Sequence, residues 1–164
     1  MNKYDCIFIL GIRRCEIDHR ASCDFTRECS YETGRISSLG YPEAYPQRST
    51  CTWRIITDLG SYITMTFVDF DIKSLGFCDS SSLYVYNGQS LNEDLLIGQY
   101  CNDRSPPAIT ISAFNQLFLR LLSGAEEAGN GFVMDFVQKT RVSDHTKSPG
   151  KSFIIHKNMF CITL

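Results

Sequence analysis

The chain has 164 residues, 43% of them apolar and 21% charged, which is the composition of an ordinary soluble domain. That length accommodates one domain with a real core and extensions at its ends. A formal net charge of -2 offers no basic stripe of the kind a nucleic-acid binder needs, and the basic clusters at Arg13-Arg14 and Lys147 to Lys157 read as solvated tails.

Residues 1–28 form an N-terminal extension. Lys3 followed by Cys6 to Ile12 has the outline of a signal sequence, but the apolar run is short and Asp5 sits against it. Ala21-Ser22-Cys23 would serve as a cleavage site only far downstream of that run, behind Arg13, Arg14 and Glu16, so a functional signal is not expected. In this reading Cys15 and Cys23 belong to the remnant of an upstream disulfide-linked segment.

From Cys29 onward, short runs of β-branched and aromatic residues alternate with Gly, Pro and Ser. Residues 34–38 read as a strand and 40–46 as a turn-rich loop, whose prolines push Tyr41 and Tyr45 toward extended geometry. Within 51–56, Cys51, Trp53 and Ile55 share one face at period two, which makes Trp53 a core anchor. After the break at Asp58-Leu-Gly60, the 62–70 strand puts Ile63, Met65 and Phe67 on the core face. A loop through Cys78 leads to the 82–86 strand, where Leu83 and Val85 alternate with Tyr84 and Tyr86, and Asn87-Gly88 marks a turn. Strands over 95–100, 108–112, 116–122 and 131–138 complete the set, and no segment carries a capped helical period. The pattern predicts an all-β fold, an antiparallel β-sandwich in preference to a barrel. Residues 140–164 form a polar C-terminal tail, expected to be disordered, with apolar runs too short to span a membrane.

Eight cysteines (6, 15, 23, 29, 51, 78, 101 and 161) in a β-rich chain favour disulfides and an oxidising compartment, with connectivity left open. No C-x-x-C pair occurs, and His19, His145 and His156 all lie outside the strand-rich middle, which argues against zinc. The ending Cys161-Ile-Thr-Leu164 formally fits a prenylation signal, but prenylation is cytosolic, and the conflict with the disulfides favours a chance match. There is no N-x-[ST] glycosylation acceptor.

The segment 29–139 resembles a CUB domain. The resemblance rests on Gly34-Arg-Ile-Ser-Ser38, Gly40-Tyr-Pro-Glu-Ala-Tyr-Pro46, Cys51-Thr-Trp-Arg-Ile55, and Gly60 ahead of Ile63 to Phe67. It continues through Phe70-Asp-Ile72, Leu83-Tyr-Val-Tyr-Asn-Gly88, Gly98-Gln-Tyr-Cys101, Pro106-Pro107, Gln116-Leu-Phe-Leu119 and Gly131-Phe132. It implies a compact jelly-roll type sandwich with disulfides Cys29–Cys51 and Cys78–Cys101, each adding about 2–4 kcal/mol. It further implies an extracellular module that works by binding protein, in a secreted protein or a receptor ectodomain.

Many CUB domains carry a calcium site, whose acids follow the F-D-[IL] element, lie three residues past the third family cysteine, and precede the final G-F. Those positions hold Lys73, Ser81 and Gly124 in this sequence. Calcium needs six to eight oxygen ligands with carboxylates carrying most of the charge, so no metal and no other cofactor is expected. Lys73 with Asp71 and Asp79 either organises this end by charge pairing or presents three solvated charges, worth about 0–1 kcal/mol per pair.

Catalysis lacks its parts. No histidine lies between Cys29 and Lys139, the four family cysteines are committed to bridges, and Glu126-Glu127 reads as a solvated hairpin tip. The chain is therefore expected to be a non-enzyme whose partner is an extracellular protein. The alternative is the targeting module of a CUB-containing extracellular protease. Candidate contact residues are Lys73, Leu75, Phe77 and Asp79. Leu75 and Phe77 serve either as exposed anchors or as satellite core.

Overall fold

The computed structural model describes residues 15–16, 23, 27–125 and 128–140. Expectations for the N-terminal run and for Ala21 and Ser22 of its cleavage site, the tail with Cys161, the basic clusters and Glu126-Glu127 lie outside the described residues.

Among the described residues ten strands follow one another: β1 (Cys15–Glu16), β2 (Arg27–Cys29), β3 (Thr33–Ser37), β4 (Thr50–Ile56), β5 (Ser61–Asp71), β6 (Ser82–Asn87), β7 (Leu96–Tyr100), β8 (Ile109–Ile111), β9 (Gln116–Leu122) and β10 (Gly131–Thr140). They form two five-stranded sheets, in the orders β1-β3-β10-β5-β8 and β2-β4-β9-β6-β7. Between β6 and β7 lies one 3-10 turn, Glu93–Leu95, where the Asn92 side chain caps the Asp94 N–H.

This is the expected β-sandwich, antiparallel except at two edges. There β1 runs parallel to β3, and β2 runs parallel to β4. The alternating residues of β4, β5, β9 and β10 meet between the sheets, where Trp53, Ile63, Met65, Leu119 and Phe136 are fully buried. The Trp53 ring stands edge-on to Phe132 at 5.3 Å between centroids, a favoured aromatic geometry.

A bulge in β5 determines what the following loop presents. Opposite β10, Met134 pairs with Phe67 but Val133 pairs with Asp69, leaving Val68 as the extra residue. Before it the odd-numbered residues Ile63 and Met65 face the core; after it the even-numbered Ile72 is buried, and Val68 is exposed. An inserted residue reverses the phase of a period-two strand. Without it, Asp71 and Lys73 would point into the core. With it, they share the outward face.

The expected bridge Cys78–Cys101 is present, with a Cα–Cα separation of 5.5 Å. The expected bridge Cys29–Cys51 is not. Cys51 is bonded to Cys23, at a Cα–Cα separation of 4.6 Å. The register of β2 on β4 explains the correction, because Cys29 pairs with Ile55. Four residues of strand separate Ile55 from Cys51, about 13 Å at 3.3 Å per residue, well beyond the roughly 7 Å reach of a disulfide. Cys23 is therefore part of the domain's own framework and not an upstream remnant. Cys29 is buried and is itself disulfide-bonded.

Candidate functional site

The loop from Ile72 to Ser81 joins β5 in one sheet to β6 in the other. Four of its ten residues are serine or glycine, and hydrogen bonds within the loop set its shape. The Ser74 hydroxyl accepts from the N–H groups of Ser80 and Ser81, at 3.3 and 3.1 Å. Ser80 in turn accepts from the Leu75 N–H at 2.9 Å. Such side-chain-to-backbone bonds hold turns that have no ladder. Gly76 and Cys78 adopt left-handed φ values of 60° and 66°, and the buried Cys78 sulfur pins the loop to Cys101.

Folded this way, the loop pushes its apolar residues outward. Phe77 is 89% exposed and Leu75 is 61% exposed, so neither is satellite core. Lys73 and Asp79 are exposed beside them. The four candidate residues thus share one tip.

The base of the loop is tied to its neighbours. Lys73 Nζ lies 2.9 Å from Asp71 Oδ1, and Asp71 Oδ2 accepts the Asn130 N–H at 3.0 Å. Burial pushes the Asp71 carboxyl up, but the Asn130 N–H and the Lys73 ammonium outweigh it and hold the group below the ordinary carboxylate range. The buried Tyr45 donates its hydroxyl to the Lys73 carbonyl at 3.2 Å. Ser81 Oγ, itself buried, accepts the Gly124 N–H at 2.9 Å. The Asn102 N–H reaches the Ile72 carbonyl at 2.8 Å.

Sequence reasoning missed the residues that do this tying. Ser74, Ser80 and Asn130 have no motif, Tyr45 stood out only as part of the 40–46 loop pattern, and a serine run reads simply as polar loop. It also missed a second exposed apolar group at the opposite end of the sandwich, where Leu59, Phe114 and Leu91 stand in three adjoining turns. Those turns are linked by Thr57 N–H to Asn115 O at 2.9 Å and by Ala113 N–H to Asn87 Oδ1 at 2.7 Å.

This arrangement of two sheets with a disulfide at each end of the chain's middle matches a known family. A family model described as the CUB domain covers residues 23–136, most of the chain. The chain belongs to the CUB family. The matched range opens on Cys23, the partner of Cys51. Among curated relatives, the dorsal-ventral patterning protein tolloid of Drosophila melanogaster is 31% identical over 96% of this chain and 16% of its own length. Human procollagen C-endopeptidase enhancer 2 is 35% identical over 64% of this chain and 25% of its own length. Among solved structures, the CUB1-EGF-CUB2 domains of rat MASP-1 superpose with a TM-score of 0.61 at 24% identity, covering 70% of this chain and 43% of that one. The chain therefore spans only a small part of the curated relatives it matches.

CUB domains are generally non-catalytic modules of extracellular proteins that bind protein partners, and the disulfides fit that setting. Among the described residues, no helix is long and apolar enough to cross a membrane.

Proposed function

We propose that this CUB domain is a non-catalytic recognition module of an extracellular protein, a secreted protein or a receptor ectodomain, and that it binds a protein partner through the tip formed by Lys73, Leu75, Phe77 and Asp79. The observation that carries this reading is the 89% exposure of Phe77 on a loop held by its own serines and by Cys78. A large aromatic left in water on an ordered loop gains little for folding and much for an interface, where such residues dominate the binding energy. Lys73 and Asp79 beside it supply the polar rim. We take the module to begin at Cys23, since its bridge to Cys51 closes the framework.

The test uses the full chain secreted from an oxidising host and immobilised as a multivalent array, with capture from extracellular fluid read by mass spectrometry and confirmed with the purified ligand. Phe77→Ala and Leu75→Ala are expected to weaken the confirmed interaction tenfold or more while leaving the melting temperature within about 1 °C. Retained affinity in both variants refutes the tip. A second reading follows from tolloid, which aligns across nearly the whole chain. In it, the same module targets an extracellular protease whose catalytic domain lies elsewhere in a longer product. A transcript joining this module to a catalytic domain decides for it.

A further inference from the structure

The CUB family implies calcium at this end of the sandwich, and the side chains present do not fit it. A calcium ion needs six to eight oxygens with carboxylates prominent among them. Of the three positions that carry the acids in calcium-binding relatives, Ser81 and Gly124 are bonded to each other, Gly124 N–H to Ser81 Oγ at 2.9 Å. The third is Lys73, whose ammonium is itself a cation and lies 2.9 Å from Asp71 Oδ1. Among the described residues, no three histidine, cysteine or acidic side chains converge to hold a metal.

We infer that the Lys73 ammonium and the hydroxyl–amide hydrogen bonds around it take the structural place of the divalent cation, so that the loops of this end are ordered at any calcium concentration. A calcium ion orders loops by drawing ligands from several of them onto one point. Here the same loops are joined pairwise. Asp71 connects two of them, since one carboxylate oxygen meets Lys73 and the other takes the Asn130 N–H of the β9–β10 loop. Close approach at that point requires Gly129, because a Cβ there would collide with the Asp71 carbonyl and carboxylate. Tyr45 adds the β3–β4 loop, with its hydroxyl on the Lys73 carbonyl and its N–H on the Gly129 carbonyl at 3.3 Å. Ser123 completes the lattice, donating to the Pro46 carbonyl at 2.6 Å and accepting the Ser49 N–H at 3.1 Å. Each link is a short-range hydrogen bond or ion pair with no ligand sphere to fill, and none of them dissociates when free calcium falls. The bulge at Val68 makes this possible, since it turns Asp71 and Lys73 to the same outer face.

The bearing of this device on binding rests on the tip proposed above, but its test needs no partner. Hydrogen–deuterium exchange of residues 72–81 and 128–131 in the full chain reads loop order directly. In the unmodified protein, exchange and melting temperature are expected to be the same in 5 mM calcium chloride and in chelator. Lys73→Met is expected to raise exchange in both segments severalfold, and Lys73→Arg to keep it low. Lys73→Glu, which sets two carboxylates side by side, is expected to loosen both segments in chelator and in calcium alike, because Ser81 and Gly124 still leave the ligand set incomplete. Calcium protection of the unmodified loops overturns the inference, as does unchanged exchange in Lys73→Met or in Lys73→Glu. Failure of Phe77→Ala to weaken binding would leave these results untouched.

Discussion

The disulfide framework gives the sharpest prediction, because two pairings that differ by one cysteine can be separated by chemistry alone. Trypsin cleaves after Arg20, Arg27, Arg35, Arg48 and Arg54, which places Cys23, Cys29 and Cys51 in the separate peptides 21–27, 28–35 and 49–54. A non-reducing digest is expected to yield peptide 21–27 joined to 49–54. The two cysteines are 28 residues apart in sequence, and loop-closure entropy for that span gives about 3.5 kcal/mol of stabilisation. In a domain of this size Cys23→Ser is therefore expected to lower the melting temperature by about 10–15 °C and to expose one titratable thiol, at Cys51. Cys29 is also disulfide-bonded, so Cys29→Ser destabilises as well. Its distinguishing result is an intact 21–27/49–54 crosslink. Recovery of peptide 28–35 joined to 49–54 from the unmodified protein would refute the register argument, since it requires β2 to slide about 13 Å along β4.

Substitutions at three further positions probe the core, a turn and the loop base. The Trp53 indole N–H is buried and meets no protein acceptor among the described residues, so Trp53→Phe breaks no hydrogen bond and is expected to cost about 1–2 kcal/mol in lost packing. Trp53→Ala, by the same urea titration, is expected to cost about 3–5 kcal/mol. Gly131 has φ of 91°, and a Cβ there would fall on the Ser38 hydroxyl, which accepts the Phe132 N–H at 3.1 Å. Gly131→Ala combines left-handed strain with loss of that bond, and its urea midpoint is expected to report about 2–4 kcal/mol. Asp71 has a folded-state carboxyl held below the ordinary 3.8, so its contribution is complete above that pH and is lost as pH falls through the lower folded value. The stability gap between the unmodified protein and Asp71→Asn is expected to be constant from pH 7 to about 5 and to close below about pH 4; a gap that widens on acidification would reverse the sign.

Most strands were legible in the sequence, because a sheet with one buried face writes itself as period-two alternation. Cys51, Trp53 and Ile55 on one face, and Ile63 and Met65 on another, need no other information, and all five are buried. The parallel edges were not legible. β1 and β2 are two and three residues long, too short for any alternation, and they are held by neighbours chosen in three dimensions. The mispairing of Cys51 has the same origin: without β2 there is no register, and without register the nearer cysteine looks as good as the farther one. The bulge at Val68 was hidden for a different reason. Its sequence reads as uninterrupted strand, and only the opposing pairs Phe67–Met134 and Asp69–Val133 reveal the extra residue.

The candidate site divides along the same line between local and long-range information. That Leu75 and Phe77 stood out from a polar loop was visible in sequence, but their orientation was not, since a loop of ten residues can fold its apolar side chains either way. Orientation was decided by Ser74 and Ser80, whose hydroxyls bind backbone N–H groups six or seven residues away or five residues back. The departure from the family's acids was also visible, at Lys73, Ser81 and Gly124, yet sequence could only say that ligands were missing. The structure adds that the replacements are mutually satisfied: Ser81 accepts from Gly124, and Lys73 meets Asp71. Random loss of a metal site would leave buried polar groups without partners, at a cost of about 1–3 kcal/mol each. Finding each vacated position inside a hydrogen bond or an ion pair is what a substituted linkage requires, and it is why the Lys73 variants, more than any calcium titration of the unmodified protein, decide how this end of the sandwich is held together.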